Sequence, residues 1–201
     1  MRTTLRTDDP DVNAYQLMTA LVVPRPIAWI STLSTDGVGN LAPHSFFSVA
    51  CANPPIVSFT SVGHKDTLRN VLATGEFVVN LATFPLLDEV NNTSANFDSQ
   101  LDEATELDLE MEPSDLVAPR RVAASPASLE CVLHSSQELG DSVLVLGRVV
   151  AFTIKDDVMV DGHPEFGLLQ PIARLGKEEW GLPSKVISTP RPSKPADIRG
   201  R

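Results

Sequence analysis

Short apolar runs, broken at close intervals by turn residues, leave this chain few options other than a small antiparallel β structure. Between residues 24 and 83 three such runs, 27 to 33, 41 to 50 and 56 to 60, are separated by Thr35-Asp36-Gly37 and Asn53-Pro54-Pro55. Each separator ends one strand and starts the next, because glycine supplies turn conformations and proline cannot donate to a ladder. The three runs read as a meander. A polar segment follows, Ser61-Val62-Gly63-His64-Lys65-Asp66-Thr67, and leads into Leu68, Val71 and Leu72, whose spacing fits a short amphipathic helix before a strand over 77 to 81. A cation and several hydroxyls thus stand where a helix begins.

Outside this stretch the pattern is plainer. Residues 1 to 14 form a polar arm, and Val12, Tyr15, Leu17 and Met18 are weakly helical until Pro24 and Pro26 end regular structure. Residues 84 to 95 are again helix-like. The run LDEATELDLEMEP carries six carboxylates and no cation; it lacks the spacing and central glycine of a calcium loop and reads as a solvated face. Strand character returns at Leu116-Val117, at Val122, over 128 to 133, and over 142 to 154, and the last two runs are expected to pair as a hairpin across a turn at 138 to 142. Residues 182 to 201 hold four prolines and read as a tail, so a single domain is expected over 1 to 181. About seven strands and two or three short helices make a mainly β fold, an antiparallel barrel with helical excursions.

Composition excludes several classes of function. A net charge of −10 argues against nucleic-acid binding, which calls for a basic stripe. No apolar run approaches the ~20 residues that span a bilayer, and no signal-peptide pattern opens the chain, so a cytoplasmic location without a membrane partner is expected. Cys51 and Cys131 each lie in an apolar run and read as buried, reduced thiols rather than a disulfide or metal pair. The chain has no glycine-rich dinucleotide fingerprint, phosphate-binding loop, nucleophile elbow or paired-histidine metal motif, and His44, His64, His134 and His163 lie far apart. What remains is a set of small polar residues at strand ends: Ser31, Thr32, Asn40, His44, Ser45, Ser61, Lys65 and Thr67. Such donors suit a phosphorylated ligand with a flat heteroaromatic head, although polar strand ends are also common in proteins that bind nothing.

Several segments, taken together and in order, resemble the flavin reductase-like family of FMN-binding split-barrel proteins, in its flavoredoxin-like branch. They are Pro24-Arg25-Pro26-Ile27-Ala28 with Ser31-Thr32, Asn40-Leu41-Ala42-Pro43-His44-Ser45-Phe46-Phe47, Asn53-Pro54-Pro55, Lys65-Asp66-Thr67-Leu68-Arg69-Asn70 and Gly75-Glu76-Phe77-Val78-Val79-Asn80-Leu81. The likeness extends to Pro126 to Glu130, to Leu146-Gly147-Arg148-Val149 and to Arg174-Leu175-Gly176, and covers roughly residues 15 to 181.

The resemblance implies a Greek-key-like split β-barrel that holds FMN without a covalent bond, as a homodimer with the flavin near the subunit interface. By that likeness Asn40, Ala42, Pro43, His44, Ser45 and Phe46 follow the ring and ribityl chain, and Ser61, Lys65, Asp66 and Thr67 surround the phosphate. Ser31 and Thr32 complete a polar wall, and Arg174 and Trp180 either close the site from the neighbouring subunit or pack the dimer. The implied activity is hydride transfer from NADH or NADPH through FMN to a small-molecule acceptor, with no catalytic side chain required because the cofactor carries the chemistry. A non-catalytic electron carrier, an oxidase like those acting on pyridoxamine phosphate, and a flavin-free interaction barrel are the alternatives. His44 is expected to stack or to tune the flavin, Arg25 to brace the turn between its prolines, and Asn80 to satisfy backbone groups in a bend.

Overall fold

The structure, a computed structural model, describes residues 1 to 194; the expected tail over 182 to 201 therefore lies partly outside the described residues. Seven strands form one antiparallel sheet: β1 (Ala28–Leu33), β2 (Gly39–His44), β3 (Phe47–Cys51), β4 (Ile56–Val62), β5 (Glu76–Leu81), β6 (Ala127–Leu139) and β7 (Ser142–Ile154). Their spatial order is β2-β1-β5-β6-β7-β4-β3. The two edge strands, β2 and β3, are successive in the chain and joined only by Ser45 and Phe46, so the sheet must curl until its edges approach at that corner. This is a split barrel.

The long apolar run from 41 to 50 is thus two strands rather than one, and the expected meander is two hairpins at opposite ends of the sheet. β2 pairs with β1, and β3 with β4. The hairpin over 127 to 154 forms as expected, with Ser142 opposite Leu139 and Ile154 opposite Ala127. The expected strand at Leu116-Val117 does not form; only Arg121–Val122 pairs there, with Met111–Glu112.

Among the described residues five short α-helices decorate the sheet: α1 (Ala14–Leu21), α2 (Asp66–Thr74), α3 (Leu87–Asn92), α4 (Glu103–Glu106) and α5 (Phe166–Leu169). α2 buries Leu68 and Val71, as its spacing dictates, and stops at Gly75, whose φ of 77° is the left-handed conformation that glycine adopts without penalty. No described helix is long and apolar enough to cross a membrane.

Side-chain alternation along β1 divides the core in two. Ala28 and Ile30 face the barrel interior with Phe59, Leu68, Val71, Phe77, Val79, Cys131 and Val145. Trp29, between them, faces the other side, where Leu41, Val90, Ala104, Val122 and Ile172 cover it. Both cysteines are free; Cys131 is buried, which pushes its thiol up to about 12, whereas Cys51 at the end of β3 is only half-buried, contrary to expectation.

Inside the barrel a row of rings runs from His44 to Phe59, 5.0 Å between centroids, and from Phe59 to Phe77, 5.5 Å edge to face. The row ends at Gly147 on β7, where an added Cβ would stand 2.1 Å from Phe77 Cζ. Glycine is required there by the neighbouring ring rather than by backbone conformation.

Candidate functional site

A cleft of about 330 Å³ opens where the split edges of the barrel meet α2. One wall is the β2 segment and its corner, through Asn40, Ala42, Pro43, His44, Ser45 and Phe46; the opposite end is Lys65, Asp66 and Thr67 at the start of α2. Nine of the residues expected at a ligand site are therefore brought together. The rest of the lining was not legible as such: Tyr15 from α1, Thr60 and Val62 from β4, residues 93 to 97 after α3, and Glu103.

Five expected residues do not line it, and strand parity bears on three of them, Ser31, Thr32 and Ser61. Ser31 and Thr32 are neighbours on one strand and point to opposite faces of the sheet. Ser31 donates to the Arg120 carbonyl and accepts from Asn80, on the Trp29 side of the sheet. Thr32 lies beneath the cleft floor, where its hydroxyl accepts from Asn70 at 3.0 Å and from Asn40 at 3.4 Å. Ser61 is fully buried and donates to the Gly63 carbonyl at 2.8 Å, while its neighbours Thr60 and Val62 face the cleft. The core position of Phe59, two residues earlier, fixes that parity in the folded sheet.

Residues of the polar end are held in place by their own contacts. Asn40 donates to the Thr67 hydroxyl at 3.0 Å, which ties β2 to the first turn of α2. No side chain caps α2, so the first N–H groups of the helix have no acceptor within it, and the helix dipole favours an anion there. Asp66, the one carboxylate in that turn, is engaged by Arg69. Lys65, exposed at the rim, makes no ion pair with any described residue.

Elsewhere the lining is rigid. Trp29 Nε1 donates to Thr93 Oγ1 at 2.8 Å and fixes the start of the 93 to 97 loop. Glu103 was expected on a solvated acidic face, yet it is buried: its carboxylate accepts from the Leu41 N–H at 2.8 Å, and burial pushes its pKa up. Asn80 behaves as expected, donating to the Trp29 carbonyl and accepting from Val122 N–H at 2.8 Å. Arg25 donates to the carbonyls of Thr19, Val22 and Leu175, bracing the turn after α1.

Arg174 and Trp180 stack on each other, 4.7 Å from guanidinium to ring centroid, beside the cleft but not in its lining. Both border a smaller cavity that shares Pro43 and Ser45 with the cleft. Their placement is adjacent to the site in the same subunit.

His44 is the one buried histidine whose environment is strongly perturbed. Burial pushes its imidazole down to about 4, and the nearby Lys65 ammonium acts in the same direction. The ring is therefore neutral at pH 7, and its Nε2 has no partner among the described residues. Below pH ~6.5 the unfolded chain takes up a proton at this position that the folded chain refuses until pH ~4, so stability present at neutral pH is lost through that window. The expected loss attributable to His44 is roughly 3 kcal/mol. Denaturant titrations of the apoprotein at pH 7 and pH 4.5 should show a steeper loss for wild type than for His44→Gln; parallel losses would mean that the imidazole is not the group responsible.

Comparison with known proteins agrees with this architecture. Residues 18–166 match the flavin reductase like domain family. An uncharacterized protein of Deinococcus radiodurans is 34% identical over 179 residues, covering 83% of this chain and 79% of that protein. Among solved structures, nitrilotriacetate monooxygenase component B from Bacillus cereus superposes with a TM-score of 0.86 at 28% identity, over 94% of this chain and all of that one. The 2-nitrobenzoate 2-nitroreductase NbaA of Pseudomonas fluorescens gives a TM-score of 0.87 at 25% identity, over 95% and 97% of the two chains. The motif order along β1 to β5, the split barrel that it builds and the match over 18–166 lead to one conclusion: this chain belongs to the flavin reductase-like domain family.

Proposed function

We propose that the cleft holds FMN and that the protein is a reductase drawing hydride from a nicotinamide donor. The observation that carries this is the polar end of the cleft: Lys65, without an ion pair among the described residues, the Thr67 hydroxyl and the uncapped start of α2 converge at one end of a wall made of β2. A phosphate is the chemistry that such an end recognises, because oriented N–H groups, a hydroxyl and a full positive charge all favour a dianion. The rest of the donor set fits the flavin as well. Ala42, Pro43 and Phe46 give an apolar bed for a flat ring, and the neutral imidazole of His44 adds an aromatic surface without charge.

Bound FMN would supply the capacity to accept a hydride and pass electrons on. The chain's part is to grip the phosphate at Lys65 and Thr67, to lay the ring along β2 and to limit water with the 93 to 97 loop. No side chain of the cleft needs to gain or lose a proton for this, which accords with a lining that holds no acid–base pair in mutual contact. A relative from Pseudomonas putida, 29% identical over 135 residues, is described as a flavin reductase.

A homodimer is part of the same proposal. Tyr15, Met18, Leu21, Val22 and Val23 on and after α1, and Val49 on the edge strand β3, are large apolar side chains left exposed. Tyr15 also lines the cleft, so a second subunit covering α1 would bear on the site.

Anaerobic titration tests the reading directly. FMN added to the protein should bind with a shifted visible spectrum, and NADH or NADPH should then bleach the 450 nm band stoichiometrically, in a species of twice the chain mass by light scattering. Binding without bleaching by either donor would leave an electron carrier, and failure to bind FMN would overturn the proposal.

A further inference from the structure

We propose that a second cavity, bordered by Arg25 and Arg174, is an anion subsite that takes the diphosphate of the nicotinamide donor. This rests on the flavin reading of the neighbouring cleft. The cavity measures about 650 Å³ and adjoins the cleft, since Tyr15 and Ser45 border both. Its charged lining is Arg25, Arg174, Lys177, Glu178 and Glu179, three cations against two carboxylates, in a chain whose net charge is −10.

The two arginines are placed as a chain would not place them for stability alone. Arg25 and Arg174 are direct partners across an antiparallel bridge, a like-charge juxtaposition that costs free energy. Arg25 is 8% exposed, yet among the described residues its hydrogen bonds go to neutral carbonyls and its buried Nε has no partner. Among the described residues neither arginine forms an ion pair. A buried guanidinium without a counter-charge is expensive, and a second one opposite makes it more so. Burial and the Arg174 charge both push the Arg25 pKa down, while the nearby Tyr15 opposes them.

An anion between the two would remove both costs. Arg174 is positioned to receive it: its guanidinium lies over the Trp180 ring and spends one donor on the Lys177 carbonyl at 2.7 Å, which leaves donors for a ligand. The cavity is larger than an inorganic ion requires. A diphosphate with its attached sugar suits that space, and the shared border at Tyr15 and Ser45 lets the same molecule extend its nicotinamide into the cleft.

Two measurements, one without turnover, test this. Calorimetric titration of the full chain with ADP-ribose, which carries the diphosphate but no nicotinamide, should show binding that Arg174→Ala weakens at least tenfold and Arg174→Lys partly restores. With FMN bound, Arg174→Ala should raise KM for NADH at least tenfold. Its effect on reduction by N-benzyl-1,4-dihydronicotinamide, a donor without phosphate, should be at least tenfold smaller. Equal losses with both donors, or no loss with either, would overturn the subsite and reduce Arg174 to a packing partner of Trp180. Should inorganic phosphate compete as strongly as ADP-ribose, the site is a simple anion hole and the donor assignment fails. A chain that binds ADP-ribose but not FMN would sink the flavin reading alone.

Discussion

Lys65→Ala is expected to raise the FMN dissociation constant ten- to a hundredfold while leaving riboflavin binding nearly unchanged. The two ligands differ by a phosphate, so the comparison isolates what the polar end of the cleft contributes. Lys65 stands at the rim with no ion pair among the described residues, and removing it therefore leaves no orphaned carboxylate to confuse the measurement. One charge-assisted contact is worth roughly 1.5–3 kcal/mol, which is the tenfold to hundredfold range. Because the ammonium is exposed, added salt should reproduce part of the loss in the wild type and almost none in the variant. Thr67→Ala is a poorer probe, since its hydroxyl also accepts from Asn40 and ties β2 to α2. Equal weakening of FMN and riboflavin by Lys65→Ala would show that the residue shapes the cleft rather than holding a phosphate.

The parts of this site that the sequence discloses are those fixed by local chemistry. The corner from Asn40 to Phe46 and the start of α2 are adjacent in the chain to strong turn and helix signals, and they line the cleft as expected. Parity errors account for Ser31 and Ser61: polar side chains at strand ends carry no label of face until a core neighbour is placed, and Trp29 and Phe59 supply that label only in the folded sheet. Residues 93 to 97 are beyond local reasoning altogether. They enter the cleft because Thr93 is held by Trp29, 64 positions away. Glu103 was hidden for a related reason, since a carboxylate among six looks solvated until the Leu41 N–H is found beside it. The splitting of 41 to 50 into two strands follows from closure: a single straight strand could not pair with both β1 and β4 at opposite ends of one sheet.

Gly147→Ala should be the most damaging single-methyl change in the chain and should reach the cleft from inside the barrel. The new Cβ would overlap Phe77 Cζ at 2.1 Å, and Phe77 is fully buried, so the ring cannot swing into solvent to escape. Overpacking of a closed core costs about 1–3 kcal/mol, and here the displaced ring abuts Phe59, which in turn abuts His44 in the cleft wall. The variant should therefore lose stability near the top of that range and also bind FMN less tightly, although no residue that faces the cleft has changed. Phe77→Leu offers the compensating test. Alone it opens space and costs stability; combined with Gly147→Ala, the added methyl occupies part of that space, so the double variant should be more stable than Gly147→Ala alone. Denaturant midpoints of the four proteins, with FMN titrations beside them, measure both effects. Strict additivity of the two substitutions would mean that the ring at 77 is not what excludes a side chain at 147, and the conformation of β7 would then have to be the cause.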